Sequence, residues 1–277
     1  MSYRINGLAQ LVALPMDHSM PAPPDSSAQA SPRRLWWPEL ALLATAVAYA
    51  LSQLQLWKVR LGWDETVYFS QVSRTVPAAY FSAPRARGIS WLAEPLALTT
   101  SSSSALRVYL TVLSGLALYL AFRTWLKVLP PGAVICSAGL FASLWITRFY
   151  GAELMPNLWV AFGVVAAVGG WLRLAADRTD RVGLLMLLIG LAGAAAMRPS
   201  DGVWATAPLL VITVARPPWR TNWRLLLGTV AGPVLGAVPW VVEAYRRFGG
   251  VPGRLNRSSQ IEGGLGWHPG ILPQHWW

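Results

Sequence analysis

The sequence predicts an all-α protein that crosses a membrane several times, and three observations support this fold class. Mean hydropathy over the 277 residues is +0.41. Hydrophobic residues make up 54% of the chain and charged residues only 13%, which is typical of proteins that sit in lipid. Apolar runs of helix length recur, and many of the 16 tryptophans fall near their ends, where indole rings favour the membrane interface. A soluble protein with a large core is the disfavoured alternative.

About seven apolar segments have the composition of membrane spans. They are residues 40–57, 105–125, 132–147, 156–174, 182–197, 203–215 and 225–242. The fifth and sixth are shorter than the usual span of about 17 to 25 residues, so the count is a working number. In the seventh, Gly228, Gly232 and Gly236 recur at four-residue spacing, which predicts close packing against a neighbouring helix.

Basic residues in the short connections predict the orientation of the chain, because cytoplasmic loops carry the excess of arginine and lysine. The residues used are Arg33, Arg34, Arg123, Lys127, Arg173, Arg178, Arg181, Arg216, Arg220 and Arg224. Their loops belong in the cytoplasm, so the long loop after the first span faces outward from the cell membrane. The net charge of +11 is then explained by the bilayer, and no nucleic-acid partner is expected, because no basic stripe with interleaved aromatic residues is present.

Composition divides the chain into three parts. Residues 1–34 are expected to form a disordered cytoplasmic tail, because their stretch rich in Pro, Ser and Ala has too little apolar content to fold. Residues 35–245 are expected to form the transmembrane domain, with an outer loop over 58–104. Residues 246–277 are expected to form an outward tail.

Charge is concentrated in the outer loop, which makes it the predicted place for chemistry. The loop carries Asp64, Glu65, Arg85, Arg87 and Glu94. The segment that begins at Asp64 has its apolar residues roughly on one helical face, and this spacing predicts an amphipathic helix along the membrane surface. One alternative stays open: Asp64 and Glu65 suit the N-cap and first turn of that helix without any catalytic role.

The run 62–73, GWDETVYFSQVS, resembles the first extracytoplasmic loop of the GT-C glycosyltransferases related to protein O-mannosyltransferases and lipid A aminoarabinose transferases. Those enzymes place Asp-Glu and a nearby Tyr just after the first transmembrane helix, and a Glu-Lys-Pro or similar triplet further along. Here Glu94-Pro95 occupies the second position and the lysine is absent. The resemblance covers residues 35 to about 110, and it implies a GT-C-like fold.

The resemblance also implies an activity, the transfer of a sugar from a polyprenyl-phosphate carrier to an acceptor on the outer face. It assigns Asp64 as general base and Glu94 as a ligand for Mg²⁺ or Mn²⁺, since hard cations prefer oxygen ligands. Residues expected to bind substrate are Glu65, Tyr68, Arg85, Arg87 and Arg198. Guanidinium groups suit this task because their forked donors match phosphate oxygens.

Other interpretations remain open for several of these residues. The loop arginines also suit a basic surface that meets anionic lipid headgroups. Arg198 and Asp201 are spaced to pair with each other, while Glu153, in a short outer turn, is expected to complete the polar site. A non-catalytic transporter or lipid-handling protein is the alternative function. Because GT-C relatives are longer, an inactive, truncated glycosyltransferase is a third.

Overall fold

The computed structural model describes residues 36–262, and every regular element in that range is helical. The helices are α1 (Trp37–Gln53), α2 (Trp63–Ser70), α3 (Gly88–Ala97), α4 (Ser103–Arg123), α5 (Pro131–Ser143), α6 (Trp145–Gly151), α7 (Pro156–Ala176), α8 (Arg181–Met197), α9 (Pro199–Ala215), α10 (Pro217–Arg220), α11 (Trp223–Arg247) and α12 (Val251–Glu262). Single 3₁₀ turns extend α1 over Leu54–Leu56 and α4 over Thr124–Lys127. The predicted tail over 1–34 lies outside the described residues, as does the end of the predicted outward tail.

Four helical segments in this range are long and apolar enough to cross a membrane, or up to five if a bent pair forms one span. The four segments are Trp37–Leu56, Ser103–Lys127, Pro156–Ala176 and Trp223–Arg247. The chain is therefore a helical membrane protein, as its composition predicts. The count of seven stays a prediction, since α8 is apolar but has only 17 residues.

The third predicted span is broken. Helices α5 and α6 differ in direction by 73°, and the break lies at Leu144, whose ψ of 132° is extended. Tertiary contacts hold α6 in place, because the Tyr49 hydroxyl donates a hydrogen bond of 2.9 Å to the Thr147 carbonyl. Hydropathy measures how apolar a segment is and contains no information about the direction of the helix axis. The sequence pattern therefore could not predict the bend.

Small residues allow α7, α8 and α11 to pack closely, which confirms the packing role predicted for the glycine ridge of the last span. A Cβ atom on Gly236 would lie 2.1 Å from the carbonyl oxygen of Ala192 in α8. On the other side of α8, a Cβ atom on Gly190 would lie 2.4 Å from the carbonyl oxygen of Gly163 in α7. Such backbone-to-backbone contacts are typical of helix pairs in membranes.

The outer loop folds onto the ends of the spans through its own apolar cluster. Val67 of α2, Ile89 of α3, and Leu106 and Leu110 of α4 are buried in this cluster together with Leu154. The start of α3 also rests on the end of α8, where a Cβ atom on Gly88 would lie 2.5 Å from the Ala196 carbonyl oxygen. The charged residues of the loop are thereby held at defined positions over the helix ends.

The close crossing of α7 and α8 makes Gly190→Ala destabilising, because the added methyl group meets backbone that cannot move aside. We expect a loss of about 1 to 3 kcal/mol, the usual cost of overpacking. Gly193→Ala is the matched control, since a Cβ atom there meets nothing within 4 Å and alanine favours the helix. Thermal unfolding in detergent measures both, and equal stability of the two variants would contradict the packing described here.

Candidate functional site

Helix α2 begins after the N-cap residue Gly62. Glu65, rather than Asp64, forms the side-chain hydrogen bond that caps its N-terminus. The Glu65 Oε2 atom accepts a hydrogen bond of 2.8 Å from the backbone N–H of Gly62. This back-bond from the third helical position satisfies a donor that the helix itself leaves unpaired. The alternative that Asp64 is the N-cap is therefore wrong. Asp64 lies in the first turn, where its charge suits the positive end of the helix dipole.

Three predicted site residues meet in the outer loop. The Arg85 guanidinium forms an ion pair with the Asp64 carboxylate, and it lies 5.5 Å from the centre of the Tyr68 ring. The Asp64 side chain is 46% exposed and that of Arg85 is 17% exposed, so solutes reach the carboxylate. Burial raises the pKa of the Tyr68 hydroxyl, against the opposing effect of the Arg85 cation. Tyr68 is thus a hydrogen-bond donor at neutral pH.

Arg198 lies at the start of α9 and adds positive charge to the same neighbourhood, since its cation acts to lower the pKa of Tyr68. Its side chain is 51% exposed. The guanidinium donates a hydrogen bond of 3.1 Å to the Asn157 amide oxygen and lies 3.6 Å from Asp201. The predicted ion pair with Asp201 is present, and it is loose enough to leave donors for a ligand.

Glu65, predicted to bind substrate, is instead buried against Arg107 of α4. The two side chains expose 4% and 2% of their surface, and two guanidinium nitrogens reach the carboxylate at 2.5 and 2.7 Å. The backbone N–H groups of Gly62 and Leu154 donate to the same carboxylate, each at 2.8 Å. These four donors tie α2 to α4 and to the turn before α7. A substrate contact for Glu65 stays a prediction that this pairing disfavours.

Arg107 also donates hydrogen bonds to three backbone carbonyl groups. It bonds the oxygens of Val59, Arg60 and Ala152 at distances of 3.2, 2.9 and 2.8 Å. A fully bonded, buried guanidinium of this kind fixes the chain that surrounds it. The outer loop is therefore anchored at its start by one arginine within a membrane-spanning segment.

Glu153 lies in the turn between α6 and α7, close to the pair that Glu65 forms with Arg107. Burial raises the pKa of Glu153 to about 7, the Glu65 carboxylate adds to the shift, and Arg107 opposes it. A carboxyl group with such a pKa exchanges protons near neutral pH, as catalytic acids and bases do. The sequence predicted Glu153 as a member of the polar site, without its unusual basicity.

Arg87 turns away from Asp64 and pairs with Glu243 near the end of α11. Its Nη2 and Nε atoms donate to one Glu243 oxygen at 2.7 and 3.0 Å, and its guanidinium lies 4.6 Å from the Phe81 ring centre. Substrate binding by Arg87 stays a prediction, because its guanidinium is held by Glu243. Arg87 holds the loop to α11 in this structure.

Arg254 of α12 fastens the same stretch of loop from the other side. The residue is fully buried, and its guanidinium donates to the carbonyl oxygens of Ala83, Arg85 and Trp240 at 2.9, 2.7 and 2.8 Å. Its centre lies 4.4 Å from the Trp240 ring. Burial lowers the pKa of Arg254, and the Glu243 carboxylate at 3.3 Å opposes that shift. Arg254 of α12 thus fixes the loop backbone on both sides of Pro84, at Ala83 and at Arg85.

Glu94, the predicted metal ligand, lies in α3 at an intermediate depth. Within residues 36–262, no group of three or more His, Cys, Asp or Glu side chains is placed to hold a metal ion. Two other carboxylates of the outer loop already have cationic partners, because Asp64 pairs with Arg85 and Glu65 with Arg107. The described side chains therefore do not fit a protein-built site for Mg²⁺ or Mn²⁺.

Arg107, Glu243 and Arg254 were not predicted as parts of the site, although a signal existed for two of them. Arg107 and Glu243 lie within apolar membrane-length helices, where ionisable residues are costly and mark functional or paired positions. Arg254 carries no such signal, because α12 is a polar helix. The chain matches no family model, no curated protein and no solved structure, so the resemblance to GT-C enzymes rests on the residues of the outer loop.

The raised pKa of Glu153 predicts how stability depends on pH. The folded carboxyl titrates near pH 7 and the unfolded one near 4.5, so the folded state binds the proton more tightly and loses stability as pH rises between these values. Glu153→Gln removes the titration. We expect the variant to match the wild type below pH 4.5 and to be more stable above about pH 7. Thermal unfolding across this range checks it, and a constant difference at every pH would exclude Glu153 as the cause.

Proposed function

We propose that the chain is a GT-C-type glycosyltransferase that moves a sugar from a polyprenyl-phosphate donor to an acceptor hydroxyl on the outer face of the cell membrane. One observation carries the proposal: the accessible Asp64 carboxylate lies beside the Arg85 cation and Tyr68. A base and a phosphate-binding group are thereby neighbours in a loop that emerges from membrane-spanning helices. Seven spans, an outward loop and the amphipathic α2 at the membrane surface belong to this proposal.

In the proposed reaction, the acceptor oxygen forms a bond to the anomeric carbon while the bond from that carbon to the phosphate oxygen breaks. The acceptor proton moves to Asp64, and the electron pair of the broken bond leaves with the polyprenyl phosphate, which gains a second negative charge. Arg85 exchanges Asp64 for the phosphate when the donor binds, which frees the carboxylate to accept a proton. Arg198 supplies a second cation for the phosphate, since bidentate guanidinium contacts favour this group.

Glu153 is the alternative base in this proposal. Its pKa of about 7 is better matched to proton transfer at neutral pH than an ordinary carboxylate. Asp64 is preferred because its side chain is 46% exposed and contacts the proposed phosphate-binding arginine. Separate substitution of the two residues distinguishes them.

A divalent cation remains a prediction of the family resemblance alone. The proposed steps use no metal, because Asp64 and Glu65 are held in ion pairs and no group of three or more His, Cys, Asp or Glu side chains among the described residues is placed to hold one. A bound cation would contribute by offsetting the charge of the donor phosphate.

A second candidate is a lipid-handling protein without catalysis. It is favoured by the pairing of Asp64 with Arg85, because a carboxylate that is already bound to a guanidinium group is not free to receive the acceptor's proton. In that case the loop arginines would bind anionic headgroups and no sugar would be transferred.

Transfer of a labelled sugar by the purified full chain in liposomes tests the proposal directly. Donors are polyprenyl-phosphate sugars, and the expected product is a labelled acceptor in membranes that contain the chain and none in empty liposomes. Addition of EDTA decides the metal question: unchanged transfer supports the metal-free steps, and lost transfer that Mg²⁺ or Mn²⁺ restores supports the predicted cation. Binding of donor without transfer by any sugar tested would favour the lipid-handling candidate.

Orientation provides an independent prediction. Cysteines replace the exposed Thr75 of the outer loop or the exposed Thr179 between α7 and α8, in a Cys136→Ser background. We expect an impermeant thiol reagent added to intact cells to label the Thr75→Cys protein and to spare the Thr179→Cys protein until the membrane is opened. The reverse pattern would place the loop in the cytoplasm and remove the basis for an outward site.

A further inference from the structure

A cavity of about 720 Å³ opens between the outer loop and α12. Tyr80 and Phe81 form the wall on the loop side, and Phe248, Arg247 and Arg257 lie on the other side. Its volume falls within the range of about 300 to 1,000 Å³ that is usual for small-molecule sites. The cavity is distinct from the site around Asp64, because none of Asp64, Arg85 or Arg198 lines it.

The walls of the cavity are positively charged. Among the residues whose side chains the structure describes, Arg247 and Arg257 are the charged residues that line it, and no carboxylate does. The Arg257 guanidinium donates a hydrogen bond of 3.2 Å to the Gln260 amide oxygen and forms no ion pair with a residue whose side chain the structure describes. Both arginines are exposed at the cavity, so an entering ligand meets them directly.

Glu243, the acid that lies behind this wall, cannot balance the charge. It is shared by Arg87, Arg254 and Arg247, which approach it at 2.7, 3.3 and 3.5 Å. One carboxylate therefore faces three guanidinium groups, and Arg257 adds a fourth cation nearby. An excess of one sign of charge in a concave site concentrates ligands of the opposite sign.

Hydrogen bonds fix the loop wall before any ligand arrives. The Gln71 side-chain nitrogen donates to the Ala79 carbonyl oxygen at 2.9 Å, and the Ala79 N–H donates to the Ser70 hydroxyl at 3.0 Å. On the opposite side, the buried Arg254 links α12 to the loop carbonyl of Ala83 at 2.9 Å. A preformed cavity loses little conformational entropy on binding, so its contacts count more fully towards affinity.

We infer that this cavity binds a phosphate ester that carries hydroxyl groups, the chemical class of sugar phosphates and of the phosphatidylglycerol headgroup. Arg247 and Arg257 supply forked donors for the phosphate. The amides of Asn256 and Gln260 match hydroxyl groups, and the Tyr80 ring offers a face for the sugar. The same phosphate chemistry occurs on a free sugar phosphate and on a lipid headgroup. The inference does not depend on the proposed transfer reaction, since it uses none of its residues.

Binding measured by calorimetry on the purified full chain in neutral detergent tests the cavity, with glucose 1-phosphate as probe and glucose as the uncharged control. We expect glucose 1-phosphate to bind and glucose to bind at least tenfold more weakly. Arg247→Gln and Arg257→Gln should each weaken binding about tenfold, the effect of one charged hydrogen bond. Arg246→Gln is the matched control, because Arg246 is exposed beside Arg247 but does not line the cavity.

A second arm separates the two sources of phosphate. The chain is placed in nanodiscs of phosphatidylcholine with or without phosphatidylglycerol, and its thermal stability is compared with that of Arg257→Gln. If only phosphatidylglycerol stabilises the wild type, and the variant loses the effect, the ligand is a lipid headgroup and the inference stands. Absence of binding in both arms, equal binding of glucose, or an equal loss in Arg246→Gln would each overturn it. Because these readouts involve no transfer, their failure leaves the proposed reaction untouched.

Discussion

Asp64→Asn is expected to lower sugar transfer from a polyprenyl-phosphate donor by about 10²- to 10⁴-fold, the usual contribution of a general base. Asparagine has nearly the shape of aspartate and keeps a hydrogen-bonding oxygen for Arg85, but its amide cannot accept the acceptor's proton. Donor affinity should hold or improve, because the substitution replaces the ion pair of Arg85 with a neutral hydrogen bond, which a phosphate displaces more easily. The loss should therefore appear in the rate of transfer at saturating donor.

Folding should change little in this variant, which separates chemistry from stability. Gly62, not Asp64, caps α2, and the lost charge in the first turn costs about 0.3 to 1 kcal/mol. Asp177→Asn is the control, since this exposed acid lies in the connection after α7, away from the outer loop. Wild-type transfer by well-folded Asp64→Asn protein would remove Asp64 as the base. If Glu153→Gln then loses transfer, the base is Glu153.

Arg107→Met is expected to cost about 3 to 5 kcal/mol of stability, the usual effect of breaking a buried ion pair. The substitution leaves the buried Glu65 carboxylate without its cation, and it also removes the donors of three backbone carbonyl groups. Methionine is chosen because it fills similar volume without charge. Thermal or denaturant unfolding in detergent measures the effect.

The same helix offers a matched control. Arg123 of α4 also pairs with a glutamate, Glu39, but the two side chains are 48% and 39% exposed. An exposed pair contributes about 0 to 1 kcal/mol, so Arg123→Met should be mild. The double variant Glu65→Met with Arg107→Met should recover part of the loss, because an apolar pair removes the unpaired buried charge. Equal costs for Arg107→Met and Arg123→Met would refute the importance of burial.

The composition of the chain predicted a helical membrane protein, because membrane-length apolar runs have few other uses. It also predicted the close packing of the last span, since glycine at four-residue spacing leaves a groove. The break at Leu144 could not be predicted. It depends on contacts of α6 with Tyr49, which lies far away in the sequence.

The site was predicted in part. Concentrated charge pointed to the outer loop, and Asp64, Tyr68 and Arg85 do lie together there. What sequence could not reveal was the partner of each charge: Glu65 with Arg107 and Arg87 with Glu243 are pairs 42 and 156 residues apart. The adjacent residues Asp64 and Glu65 therefore lie in different environments: the Asp64 side chain is open to solvent and the Glu65 side chain is buried.

The hydrogen bond from Arg254 to Ala83 spans 171 residues, and this separation fixes an order of events during synthesis. The chain emerges from the ribosome with its N-terminus first, so the loop around Ala83 and Arg85 is complete long before the side chain that fastens it exists. Closing so long a loop also carries an entropic cost, which grows slowly with loop length. The hydrogen bonds from Arg254 to the loop therefore form late. A nascent chain that ends before Arg254 lacks them, however many spans it has already inserted.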